Sequence, residues 1–185
     1  HLGATPLSVI AIINECKLTP GNDYFVNDPY KGGTHLPDVT IVRPIFLDSR
    51  ETPSFFVVNR AHHSDIGGIV PGSMPILTDS DERKQLTIQD EGFRSGPCVV
   101  TQSLRDEFAT TSRLPTERRA DLAAQIAANA RGEQLLENLF RSESAASTTA
   151  LNSGLLDHAT TYFCRWLNKF FSEMFNLYLI YLKFR

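Results

Sequence analysis

Residues 24–46 read Tyr24-Phe25-Val26-Asn27-Asp28-Pro29-Tyr30-Lys31-Gly32-Gly33-Thr34-His35-Leu36-Pro37-Asp38-Val39-Thr40-Ile41-Val42-Arg43-Pro44-Ile45-Phe46. Two runs of aromatic and β-branched residues flank a segment rich in Pro, Gly and Asp, the pattern of strand, loop, strand. Tyr24–Val26 is a short strand candidate and Val39–Phe46 a stronger one. Pro44 lacks an N–H, which points to an edge or a bend there. The loop between them is stiff at Pro29 and Pro37 and permissive at Gly32 and Gly33. It presents His35 and Asp38 at the mouth of the second strand.

Working outward, Ser54–Asn59 is a third strand whose nearly continuous apolar run, Phe55-Phe56-Val57-Val58, suits burial on both faces. It leads into Arg60-Ala61-His62-His63-Ser64-Asp65-Ile66-Gly67-Gly68, again imidazoles and a carboxylate at a strand end. Upstream, Leu7–Lys17 reads as a helix with Val9, Ile10, Ile12 and Ile13 on its apolar side, ended by Pro20-Gly21-Asn22-Asp23. Downstream, Pro115 to about Arg141 is the clearest helix. Pro115 suits a first turn, alanines favour the helix throughout, and Leu122, Ile126, Ala130, Leu136 and Phe140 mark one side. Gly132 signals a break or a close packing contact in its middle. Residues 78–141 start as a polar, loop-rich stretch and become helical. The expected class is α+β or mixed α/β: a partial sheet with unpaired edges and helices packed on it.

The bulk numbers narrow the function classes. A formal net charge of −3 gives no basic face for nucleic acid or an anionic membrane. The apolar tract near the C-terminus is interrupted by Arg165, Lys169 and Glu173, so it makes a poor membrane span. Cys16, Cys98 and Cys164 are far apart and contain no CxxC pair, which fits reduced thiols in a cytoplasmic protein. Neither a G-x-x-x-x-G-K-[ST] loop nor a G-x-G-x-x-G turn occurs, so ATP is not bound by those devices.

The residues at the two strand ends, His35, Asp38, His62, His63 and Asp65, are of the types that hold a divalent metal. Imidazole with carboxylate suits zinc, manganese or iron better than calcium or magnesium. Such an ion polarises carbonyls and acidifies water. The competing reading is local: a His after a Gly-Gly turn bonds its own loop, and Asp38 and Asp65 cap turns. Adjacent residues on an extended segment point to opposite sides, so only one of His62 and His63 can face a shared site. Gly67-Gly68 and Pro71-Gly72-Ser73-Met74-Pro75 read first as tight turns, with a backbone cradle for an oxyanion as the alternative.

His1-Leu2-Gly3-Ala4-Thr5-Pro6, the Asn27–Asp38 loop, Asn59–Gly68, Pro71–Pro75 and Ala120-Asp121-Leu122-Ala123-Ala124-Gln125-Ile126-Ala127-Ala128-Asn129 occur in that order. Together they resemble the hydantoinase B family, most closely the 5-oxoprolinase branch, over roughly residues 1–141. The resemblance implies a fragment of a larger metal-dependent domain. A hydantoinase A-type domain or subunit uses ATP to activate a lactam, and the B-type part completes ring opening, as in conversion of 5-oxo-L-proline to L-glutamate in the glutathione cycle. It also implies that His35, Asp38 and His62 are the ligands of a divalent metal, zinc or manganese. His62 is preferred to His63 because the family pattern A-H-x-x-D-[IV]-G-G leaves the second position free. Asp65 and His63 are then expected as proton carriers. Two other functions stay open: a non-catalytic remnant or interaction module, and a subunit of an N-methylhydantoinase or an acetone or acetophenone carboxylase. The intact enzyme is expected to be an oligomer. Residues 142–185 do not look like the family. They are expected to be an unrelated or aberrant tail, either an amphipathic helix or a translated intron or shifted frame.

Overall fold

The computed structural model describes residues 2–47, 50–76, 86–142, 150, 153–154, 156–162 and 164–169. The chain divides into two compact units, residues 1–135 and 136–185.

The first unit is an α+β arrangement around a four-stranded antiparallel sheet. Its strands are β1 (Tyr24–Val26), β2 (Asp38–Ile45), β3 (Phe55–His62) and β4 (Cys98–Val99), in the order β3-β2-β1-β4. Among the described residues three longer helices accompany it: α1 (Thr5–Glu15), α2 (Gln102–Thr111) and α3 (Pro115–Ser142). α3 ends in the second unit, where residues 156–162 and 164–169 are also helical. The expectation of an amphipathic or out-of-frame ending over 170–185 falls outside the described residues.

Period-two alternation sorts the strand residues onto two faces. Tyr24, Val26 and Val42 pack with Ile12 of α1, joined by Val9, Phe56 and Val58. Phe25, Val39 and Ile41 pack on the other side with Phe93, Phe108 of α2 and Leu122 of α3. There Phe25, Phe93 and Phe108 meet edge to face, at centroid distances of 5.4–5.8 Å, the arrangement that aromatic quadrupoles favour.

Three expectations need correction. β2 is an interior strand despite Pro44. Its pairing with β1 ends at Val42–Tyr24, two residues short of Pro44, so the missing N–H costs no bond on that side. β3, read as buried on both faces, is half-exposed throughout Phe55–Ala61 and is an edge of the sheet among the described residues. α2 lies within the stretch read as polar and loop-rich. Its start is set by Thr101, whose side chain accepts from the Leu104 N–H.

α3 continues through Gly132. A Cβ there would stand 2.7 Å from Val57 Cγ1, so the glycine serves close approach to β3. The helix turns Arg118, Leu122, Gln125 and Asn129 inward, all at most 7% exposed. Their spacing of four, three and four is the helical stripe. The buried stripe is mostly polar, which is why an apolar reading of the helix places its face differently.

Candidate metal centre

The Asn27–Asp38 loop is tied down before it reaches the site. Asp28 accepts from the Tyr30 N–H at 2.9 Å and caps a single 3-10 turn. Buried Asn27 donates to the Leu36 and Phe93 carbonyls at 2.9 and 2.7 Å and accepts from the Ser95 N–H at 2.8 Å. Leu36 sinks into the core. Gly33 has no room for a side chain: a Cβ would lie 2.5 Å from the Asn27 carbonyl oxygen.

This loop delivers His35 beside the start of β2, where Asp38 pairs directly with His62 of β3. His62 Nδ1 lies 3.0 Å from Asp38 Oδ1 and 3.2 Å from His35 Nε2. His35 Nδ1 is 3.4 Å from Asp38 Oδ2, which also accepts from the Thr34 hydroxyl at 3.3 Å. One donor atom from each of the three residues can be chosen so that all lie within 4.8 Å of one another. Donors sharing one ion with bonds of about 2.0–2.2 Å stand roughly 3–3.5 Å apart. The closest pairs are at that separation, and two imidazoles with one carboxylate form a donor set suited to zinc or manganese. The Asp38 side chain is 7% exposed while His35 and His62 are 42% and 58% exposed, so the carboxylate forms the floor and the rings the open rim. The cluster opens into a cleft of about 820 Å³ lined also by Thr5, Pro6, Val58, Asn59 and Arg60.

His63 and Asp65 are placed elsewhere. His63, the residue that follows β3, is 1% exposed and turned to α3. Its Nε2 meets Gln125 Oε1 at 2.9 Å, its Nδ1 meets Arg118 Nη1 at 3.2 Å, and its ring stands edge-on to Phe108. Burial pushes its imidazole below the ordinary range, against the Gln125 hydrogen bond, which favours the charged form. Asp65 accepts from the Gly67 N–H at 3.0 Å, the Arg113 N–H at 2.9 Å and Arg113 Nη1 at 3.0 Å. Burial works to raise its carboxyl, but these bonds and the Arg113 charge outweigh it, and the carboxyl is held below the usual range. Both residues therefore have structural partners, and His63 also lines, with Arg60, His62, Asp121 and Gln125, a cavity next to the cleft. The glycine-rich turn likewise spends its amides internally: Gly67 N–H on Asp65 and Ile69 N–H on the Asp90 carbonyl.

Sequence reading passes over a second polar group, on the face opposite the cluster. Asn59 Nδ2 donates to the Gln125 carbonyl at 2.8 Å and to Asn129 Oδ1 at 2.7 Å. Gln125 Nε2 donates to the Val39 carbonyl at 3.1 Å and Asn59 Oδ1 at 2.8 Å, and Asn129 Nδ2 to the Ile41 carbonyl at 3.0 Å. The available signal was the four-residue spacing of Gln125 and Asn129 within an alanine-rich helix.

The hydantoinase B/oxoprolinase family model matches residues 1–177, running past Arg141 into the segment that reads as unlike the family. The chain is 36% identical over 152 residues to a 5-oxoprolinase of Saccharomyces cerevisiae, covering 76% of this chain but 12% of that protein. It is 35% identical over 153 residues to 5-oxoprolinase 1 of Arabidopsis thaliana, again covering 76% of this chain and 12% of that one. Among solved structures, the crystal structure of an ATP-dependent caprolactamase from Pseudomonas jessenii matches 81% of this chain and 26% of its own, with a TM-score of 0.66 and 25% identity.

Proposed function

The chain belongs to the hydantoinase B/oxoprolinase family, and from that premise we propose that it carries the metal-binding part of an ATP-dependent enzyme that opens cyclic amides, of the 5-oxoprolinase kind. The reaction would be hydrolysis of 5-oxo-L-proline to L-glutamate. The observation that carries this reading is the convergence of His35, Asp38 and His62 at the mouth of one cleft. The names of the relatives support the cyclic-amide class.

His35, Asp38 and His62 would hold a divalent ion, zinc or manganese. Such an ion, when bound, supplies a Lewis acid for the amide carbonyl. Thr34 orients Asp38 through Oδ2 and leaves Oδ1 toward His62. The register of β2 against β3 sets the separation of Asp38 and His62, so that part of the donor set is built by strand pairing and not by a mobile loop. Pro6 and Val58 give the cleft an apolar wall for the ring. His63 and Asp65 are not assigned proton transfer in this proposal, since both are engaged in packing.

The chain spans only a small part of its relatives, 12% of the yeast 5-oxoprolinase. ATP chemistry is accordingly assigned to a hydantoinase A-type domain or subunit, in a cytoplasmic, oligomeric enzyme. The alternative reading is a non-catalytic interaction module that keeps the donor cluster.

Calorimetric titration of this 185-residue chain with Zn²⁺ and with Mn²⁺ tests the metal reading. One-to-one binding is expected, weakened by about 100-fold or more in Asp38→Ala and in His62→Ala, at least the upper end of what loss of an outer partner costs. Absence of binding by the parent chain overturns it. ATP-dependent turnover of 5-oxo-L-proline when the chain is mixed with an A-type partner protein separates the enzyme from the interaction module.

A further inference from the structure

His62 is the last residue of β3, an edge strand among the described residues, and its side chain is 58% exposed. Strand ends at a sheet edge fray, so a metal donor in that place needs an anchor. The next residue supplies it. The His63 N–H donates to the Pro37 carbonyl at 2.8 Å, and Pro37 stands between His35 and Asp38 in the chain. One bond therefore joins the segment that carries two of the donors to the residue that follows the third. The Asp38 N–H closes the same segment onto the His35 carbonyl at 3.0 Å.

The His63 ring is held by α3. A guanidinium donates only, so the contact of Arg118 Nη1 with Nδ1 at 3.2 Å makes Nδ1 the acceptor. The ring proton is then on Nε2, which donates to Gln125 Oε1 at 2.9 Å. Both partners are themselves fixed. Arg118 is ion-paired with Asp121 at 2.8 Å, and Gln125 donates to the carbonyl of Val39, the residue after Asp38, at 3.1 Å. With both ring nitrogens taken, the cavity that the ring lines beside the cleft receives no free base from it. Turning the ring out of these bonds would move the His62 backbone with it, because one planar peptide unit joins the two residues. We infer that His63 is a positioning residue of the metal centre: α3 holds its ring, and its backbone holds His62 against the loop of His35 and Asp38. The inference rests on the metal reading above and adds to it the element that sets the donor geometry.

The test uses the 185-residue chain with Zn²⁺, followed by calorimetry, and with Co²⁺, whose visible absorption reports the arrangement of its ligands. His63→Phe keeps a ring against Phe108 and loses both ring hydrogen bonds. It is expected to bind Zn²⁺ about tenfold more weakly, the lower end of what loss of an outer partner costs, and to change the Co²⁺ spectrum. His63→Asn, whose carbonyl oxygen can accept from Arg118, should recover part of both. Phe108→Ala removes packing but none of these bonds, so it should lose stability and keep the parent's affinity and spectrum. By reciprocity, a residue whose anchoring favours the ion is anchored more firmly when the ion is bound. In the parent chain, Zn²⁺ saturation should therefore slow hydrogen exchange of the His63 N–H by about tenfold or more. That measurement stands even if a variant fails to fold. Parent affinity and parent spectrum in His63→Phe overturn the inference, as does exchange of the His63 N–H that Zn²⁺ leaves unchanged. An equal spectral change in Phe108→Ala also overturns it, by making the effect one of packing. No binding of either ion by the parent chain overturns the metal reading and this inference with it, whereas intact binding with any of the other three results speaks against His63 alone.

Discussion

The two faces of the sheet use similar residues for opposite ends. On the α1 face, Asp38, Arg60 and His62 surround a cleft and two of the three imidazole and carboxylate donors stand open to solvent. On the α3 face, Asn59, His63, Gln125 and Asn129 are bonded to one another and to the Val39 and Ile41 carbonyls. His62 and His63 are chain neighbours, yet one ring lines a cleft and the other is 1% exposed. The difference teaches that residue type marks a region as polar, while strand alternation and what packs against each face decide whether the polarity is used for binding or for cohesion.

The largest effect should come from breaking the cohesive face. Phe108→Ala removes the ring that contacts Phe25, Phe93 and His63, and should lower stability by about 3–5 kcal/mol in urea unfolding. If the comparison holds, Zn²⁺ affinity of the folded fraction is unchanged. A parallel loss of affinity would mean that the two faces are coupled.

A smaller effect sharpens the assignment of Asp65. Asp65→Asn should cost about 1.5–3 kcal/mol, because it weakens buried bonds to Gly67 and Arg113 that the charge strengthens. The sign with pH follows from the lowered carboxyl. The folded state prefers the carboxylate, so the contribution is complete above the unfolded value of about 3.9 and is lost as pH falls through the folded one. The stability difference between parent and variant should therefore be full at pH 7 and should shrink as unfolding is followed down to pH 3. Unchanged stability at pH 7 with a loss of turnover would return Asp65 to a catalytic role.

The smallest effect lies on the α1 face but outside the cleft. Lys31 pairs with Glu15 at 3.2 Å where both are well exposed. Lys31→Ala should change stability by at most about 1 kcal/mol and leave Zn²⁺ binding unaltered. A larger change would extend the cleft's supporting structure out to this pair.

Much of this was legible before the fold. β-Branched and aromatic runs located β1 to within a residue and β2 and β3 to within a few. Pro-Gly chemistry located the loop, and the resemblance singled out His35, Asp38 and His62, which the fold brings together. Those signals are local: a strand's period and a turn's backbone demands are written in consecutive residues. The inward face of α3 was not legible, because a buried stripe of Gln125, Asn129 and Arg118 has no apolar periodicity to read. Nor was the interior position of β2, which depends on where β1 stops.

The sequence by itself determined the family, the strand-loop-strand frame and the residue types of the donor set. Tertiary structure alone decided that Asp38 sits opposite His62, that Asp65 is taken by Arg113 and His63 by Gln125 and Arg118, and that Arg60 shares the cleft. Partner choice among residues 20–90 positions apart is set by strand register and helix packing. Those are properties of the assembled sheet, which no window of consecutive residues contains.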